Sequence, residues 1–433
     1  MALRTVAIST KSGISAAVLV AALILAAVGA VLWRAEFGSG LGPADWSAIR
    51  FTVLQAALSA LLSTVLAIPV ARALARRRFV GRGLLVTLLG APFILPVIVA
   101  VLGVLAVFGR AGWLNAVLAA VGLPGITIYG LHGVVLAHVF FNLPLATRLL
   151  LQAWQTVPAE RFRLAAQLDL TPRAVFRSIE LPLLRQILPG TPALIFVICL
   201  TSFAVALTLG GGPRATTIEL AIYQAFRFDF DLNRAALLSL VQLGLAGSTA
   251  ALALWIIPAI SLGGGQDRPL HRWDARGGLQ RWLDALFITL AAGFLLLPLT
   301  SVVLRGVIGL PQMPASVWQA AGTSVTVALI SVVVLLALAL PLAGWIATRA
   351  RGGVEAVGLL GLAASPLMIG TGWFILIHPV ASPFALALPV TVLVNALMAL
   401  PFALRILVPR LRDTVQIYGR QAQMLGLTGW PLW

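Results

Sequence analysis

Charge is what this sequence has least of. Only 13 of its 433 residues are acidic, and 10% are charged at all, where a soluble domain carries about 25%. Lysine occurs once, as Lys11. A phosphate-binding loop of the form G-x-x-x-x-G-K-[S/T] needs glycine directly before its lysine. Lys11 follows Thr10, so the chain has no such ATP site. Cysteine also occurs once, as Cys199 inside an apolar run, which excludes an intrachain disulfide and a cysteine-held metal cluster. Four histidines and one cysteine give no metal-ligand cluster and no nucleophile–base pair, so a membrane enzyme has no support.

Apolar residues fill the space that charge leaves. The chain is 60% hydrophobic, with mean hydropathy +1.03. Runs of roughly 20 apolar residues recur, each long enough to cross a bilayer as a helix. Inside lipid the backbone must satisfy its own hydrogen bonds, so these runs are helical. The pattern predicts an all-α polytopic membrane protein with spans at 14–33, 51–75, 84–108, 130–153, 190–209, 235–260, 282–305, 322–347, 354–378 and 385–410. The first is read as an uncleaved helix and not a signal peptide, since no small-residue cleavage site precedes Trp33-Arg34.

The net charge of +17 does not indicate nucleic acid, because the arginines cluster between spans. Arg72, Arg76, Arg77, Arg78 and Arg82 follow the second span, and Arg161, Arg163, Arg173, Arg177 and Arg185 follow the fourth. The alternate loops are nearly neutral. By the positive-inside rule the N-terminus and the basic loops face the cytoplasm.

One segment occurs twice, 257 residues apart. Leu143, Pro144, Ala146 and Arg148 match Leu400, Pro401, Ala403 and Arg405, and Arg163, Ala165, Leu168, Leu170 and Thr171 match Arg420, Ala422, Leu425, Leu427 and Thr428. These nine matches in register predict two tandem, parallel modules. The expected organisation is a first helix and outer loop at 1–50, a first module at 51–260, a Gly-rich charged linker at 261–281, and a second module at 282–433. The second module is expected to be truncated, because Trp433 falls inside the second repeated segment.

The segment 158–185, "PAERFRLAAQLDLTPRAVFRSIELPLLR", reads as two short helices. The first runs from Ala159 to about Leu170 on good helix formers. Thr171-Pro172 breaks it and starts the second, with Thr171 as cap and Pro172 at the first position. Pro182 is expected to end that helix near Leu181. Glu180 and Asp169 are expected to be exposed and to pair with a partner. Two angled helices between spans form a knob suited to a groove on another protein.

These residues resemble the "EAA" coupling motif of type I ABC-importer permeases. Ala165 matches a motif alanine, Phe176 and Ile179 its hydrophobic positions, and Leu181-Pro182 its end. Arg163 and Arg420 stand where the family often has Glu, and Asp169 stands where it has Gly, while the second copy keeps Gly426 beside Ala422. Two fused halves resemble permeases for thiamine, ferric iron and some phosphonates. "LAHVFFNLPLATRLLLQAW" (136–154), "LAAQLDL" (164–170) and the stretch 202–238 with "GGGPRATTIELAIYQ" are most similar to the thiamine and thiamine-pyrophosphate permeases.

The resemblance implies import of thiamine and its phosphates across the bacterial inner membrane. A periplasmic binding protein would deliver substrate, and two copies of a separate cytoplasmic ATPase would hold the knobs and bind the ATP and magnesium, with no cofactor in this chain. Ferric iron or phosphonate is the alternative cargo. An ion-coupled secondary transporter is the alternative class, and would need inverted repeats or acids within the spans; Asp284, at the start of the seventh span, is the nearest case.

Candidate pathway residues are few. His138 and Asn142 lie four apart, on one helix face, and could serve a path or simply pack helices. Asn395 holds the register position of His138 in the second copy. Glu219 and Tyr223, with Phe226, offer the charge and aromatic faces a thiazolium cation needs, although an amphipathic surface helix is the plainer reading. "GGGP" (210–213) reads as a turn, and Phe228 to Asp231 as a loop edge.

Overall fold

A computed structural model of the chain describes residues 10–36, 40–212, 215–256, 277–348 and 365–425. Among them every regular element is helical. In chain order these are α1 Thr10–Arg34, α2 Pro43–Arg76, α3 Arg82–Leu88, α4 Ala91–Ile94, α5 Val97–Phe108, α6 Trp113–Ala120, α7 Leu131–Thr156, α8 Ala159–Gln167 and α9 Pro172–Val175. A π-helical turn, Phe176–Glu180, leads into α10 Leu181–Ile187, α11 Gly190–Leu200, α12 Ala204–Leu209, α13 Ile218–Arg227 and α14 Leu232–Ile256. Then come α15 Gly278–Gly309, α16 Ala315–Thr348, α17 Pro366–Ile377 and α18 Ala387–Met424. Among the described residues, eight helical segments are long and apolar enough to cross a bilayer. The protein is a multi-pass, all-α membrane protein. Most of the expected linker (261–276) and Gly426 lie outside the described residues.

The helices form two compact units that are not contiguous in the chain. One comprises Gly42–Leu220 and Thr249–Gln312, the other Met1–Leu41, Ala221–Ser248 and Met313–Trp433.

In the first unit, α2 packs along α7 and α11. Its buried stripe is made of small residues, including Ala56, Ser59, Ala60, Ser63 and Ala67, which let helix backbones come close without a hydrophobic driving force. Helix α15 lies on α5 and α2. There Gly103 faces the Pro298 carbonyl so tightly that a Cβ would sit 2.7 Å from its oxygen. Phe140 meets Phe294 of α15 edge-on, with centroids 5.8 Å apart.

In the second unit, α1 packs on α16 and α17, and α16 on α18. Val20, Ile24, Leu342, Met368, Ile369 and Leu397 form the core. Other large apolar side chains, such as Leu61, Val65, Val333 and Ile406, are exposed, as befits helices whose outer faces meet lipid. Trp33, Trp46, Trp113, Trp282 and Trp318 are exposed near helix ends, where an indole sits at the membrane interface.

Two expected spans are broken. The run 84–108 becomes α3, α4 and α5, because Pro92 opens α4 and Pro96 precedes α5. The run 190–209 is interrupted at Thr201–Phe203 between α11 and α12. No proline lies there. The Ser202 carbonyl accepts from Thr217 Oγ1 at 3.4 Å and its hydroxyl meets His138 at 2.7 Å, so this turn is bonded outward.

Candidate functional site

The first copy of the repeated segment builds a defined knob between α7 and α11. Pro158 caps α8, and Phe162 and Ala165 on that helix bury against Val157 and Val175, with Leu170, Ile179 and Leu183 packed around them. Thr171 Oγ1 accepts from the Ala174 amide at 3.3 Å, the cap read from the sequence. Between the two helices Asp169 adopts φ of 44°. This left-handed region costs most L-residues roughly 1–2 kcal/mol, and Asp tolerates it better than most. The motif's glycine position is therefore a turn with a real steric demand, which Asp169 meets. Asp169→Gly is expected to hold stability within about 1 kcal/mol, and Asp169→Val to lower it by about 1–2 kcal/mol; thermal unfolding of the detergent-solubilised protein measures both.

Pro182 does not end the second helix. The chain widens into the π turn, in which the Leu181 amide donates to the Phe176 carbonyl five residues back. A wider turn relieves the clash a proline ring makes with the carbonyl four residues earlier, and α10 continues with the exposed Pro182 near its start and Leu181 half-buried. The second copy differs. Val415 stands where the first has Pro158, and α18 runs unbroken from Ala387 to Met424, carrying Arg420 and Ala422 on its backbone.

Glu180 is a correction to the sequence reading. It is fully buried, and Arg72 Nε of α2 donates to its Oε2 at 2.6 Å. The Arg72 guanidinium also covers the Phe176 ring, 4.9 Å from its centroid. Glu180 thus fastens the knob to α2 and does not face a partner. Asp169, Arg163 and Glu160 are exposed, as are Leu164 (56%) and Leu168 (62%). The knob offers apolar tips within a charged rim.

The same end of α2 holds a second acid. Asp284 of α15 is buried and accepts from Arg76 Nη2 at 3.0 Å and Arg77 Nε at 2.7 Å. Three arginines spaced along one helix end therefore grip the knob and α15 together.

His138 and Asn142 are brought together, in a buried polar cluster of the first unit. The His138 ring reaches Ser59 Oγ at 3.3 Å through Nδ1 and Ser202 Oγ at 2.7 Å through Nε2. Asn142 Nδ2 donates to the His138 carbonyl at 2.9 Å and to Cys199 Sγ at 3.3 Å. Gln55 Nε2 donates to the Cys199 carbonyl at 2.9 Å. These bonds join α2 and α7 to α11 and the turn after it. Asn395 is exposed on α18.

Helix α13 buries its first turn and exposes Gln224 and Arg227 near its end. Ile218, Glu219, Ile222 and Ala225 are at most 1% exposed, and the Ile218 amide donates to Thr52 Oγ1 at 2.9 Å. The turn before it uses Gly211 and Gly212 at φ of 73° and 132°, and Phe228 and Phe230 after it are exposed, as their sequence suggested. Tyr223 and Phe226, on the part of α13 in the second unit, line a cavity with Phe374 of α17.

No family model matches the chain. The thiamine transport system permease protein ThiP of Escherichia coli is 42% identical over 438 aligned positions, covering 96% of this chain and 81% of that protein.

The chain belongs to the thiamine transport system permease family.

The member from Salmonella typhimurium is 43% identical over 89% of this chain and 74% of its own length, and that from Haemophilus influenzae 32% over 94% and 77%. The molybdenum transport system permease protein ModB of Mycobacterium bovis is 32% identical over 46% of this chain and 75% of its own length. In this member of the thiamine permease family, the arginine grip and the Phe374 side of the cavity escape sequence reasoning. The signal available for the first is scarcity: an acid at a span end stands out in a chain with 13 acids.

Proposed function

We propose that this chain is the membrane-spanning permease subunit of an ATP-driven importer for thiamine and its phosphates. The observation that carries this is 42% identity to a thiamine transport permease across 96% of the chain. Substrate would come from a periplasmic binding protein, and ATP hydrolysis from two copies of a separate cytoplasmic ATPase that binds the nucleotide and magnesium. The N-terminus and the basic loops lie in the cytoplasm of a bacterial cell, and the helices cross its inner membrane. Arg163, Ala165, Asp169, Phe176, Ile179, Leu181 and Pro182 shape the first ATPase-docking knob, and Arg420, Ala422 and Gly426 belong to its counterpart. The repeat at 257 residues supports two tandem modules, as does a relative three quarters of which aligns to less than half of this chain.

Uptake of radiolabelled thiamine into cells lacking their own thiamine importer tests this, with the gene expressed beside its neighbouring binding protein and ATPase. Thiamine accumulation above background is expected. Background thiamine uptake together with ferric iron accumulation would overturn the cargo.

A further inference from the structure

We propose that the cavity walled by Tyr223, Phe226 and Phe374 is a binding site for the aromatic cation itself, a station that thiamine occupies within the permease. This rests on the functional reading above and adds a place and a recognition chemistry to it. The cavity has a volume of about 280 Å3 and lies wholly inside the second compact unit. Its size is close to the lower end of small-molecule pockets, roughly 300 Å3, which suits a pair of linked heteroaromatic rings and is too small for a protein segment.

Aromatic faces dominate one wall. Phe226 and Phe374 meet edge-to-face, with centroids 4.7 Å apart and planes at 85°. Tyr223 lies one turn before Phe226 and is braced edge-on by Phe228 at 5.8 Å. The His378 ring lies 5.4 Å from that of Phe374, tilted by 38°. Two braced rings at right angles give a flat guest one face to stack on and one edge to abut. The face of a ring attracts a cation, and does so most strongly where water is excluded.

None of the lining residues is charged. A ferric ion would surrender its hydration here and gain no ligand in return. A delocalised ring cation surrenders little and keeps the π contact. Thr371, 4% exposed, places the one aliphatic hydroxyl on the lining. Gly370, beside it, leaves space: a Cβ there would meet nothing within 4 Å.

That space supplies one variant that leaves the rings in place. The complete complex of permease, ATPase and binding protein is reconstituted in vesicles, and thiamine uptake and ATP hydrolysis are recorded together. Phe374→Leu keeps apolar bulk and removes the ring face, and Gly370→Leu fills the cavity. Each is expected to lower uptake by roughly tenfold and to raise the ATP hydrolysed per thiamine carried, while Phe374→Trp restores uptake to within about threefold. Uptake within about twofold of the unaltered complex in both Leu variants would overturn the site. So would a loss in which uptake and hydrolysis fall in proportion, or one that Phe374→Trp does not rescue, because either marks structural damage. Failure of the unaltered complex to carry thiamine would instead overturn the functional reading, and the site with it.

Discussion

Asp284→Ala is expected to cost the protein about 3–5 kcal/mol of stability and to abolish transport, since it removes the carboxylate from a buried charge pair. Asp284 has 3% of its side chain exposed and Arg76 has 4%, with Arg77 at 19%. Taking either sign of charge out of water is expensive, and the partner offsets most of that cost. Here one carboxylate serves two guanidinium groups, so its loss strips the main counter-charge from both. The cost should not be read as the net worth of the pair. Replacing all three side chains by apolar ones of similar volume, as in Arg76→Met with Arg77→Leu and Asp284→Met, is expected to recover much of the stability. The midpoint of thermal unfolding in detergent measures each variant. An unchanged midpoint for Asp284→Ala would show that α2 and α15 hold together without the pair.

Leu164→Asp combined with Leu168→Asp is expected to reduce transport by at least about a hundredfold while leaving the fold intact, since anchors of an interface are each worth about 2 kcal/mol or more. Both side chains stand more than half exposed on or just after α8, while Phe162 and Ala165 on its other side are buried and hold the knob together. A carboxylate placed on the tips meets water in the free protein and a desolvated groove in the complex. The expected signature is therefore separable from that of Asp284→Ala. The unfolding midpoint stays where it was, and the ATPase no longer co-purifies with the tagged permease. Retained co-purification would place the contact elsewhere on the chain.

Local chemistry was legible in the sequence where it is decided locally. The helical spans follow from apolar run length, and the start of α8 and the Thr171 cap follow from neighbouring residues alone. Even the departure at Asp169 becomes intelligible, because only a few residue types take the left-handed turn that the structure records there. What stayed hidden depends on residues far apart in the chain. Glu180 looked exposed because it lies in a loop segment with five arginines, yet its partner Arg72 lies 108 residues earlier. Asp284 and Arg76 are 208 residues apart. Helix α13 carries Glu219, Tyr223 and Arg227 and so reads as amphipathic, but its apolar face and Glu219 alike are buried. Pro182 misled for a different reason: a proline signals a break only if the preceding turn keeps α-helical spacing, and here that turn widened instead. The two copies differ at the position that opens α8, Pro158 in the first and Val415 in the second.

The most direct test of the account is thiamine accumulation by sealed vesicles that hold the permease and its ATPase, with the binding protein supplied outside and ATP inside. Accumulation that requires ATP, and that disappears when the ATPase's catalytic residue is replaced, is the result the account predicts. Accumulation that persists with the ATPase inactive or absent, driven by an ion gradient alone, would contradict it.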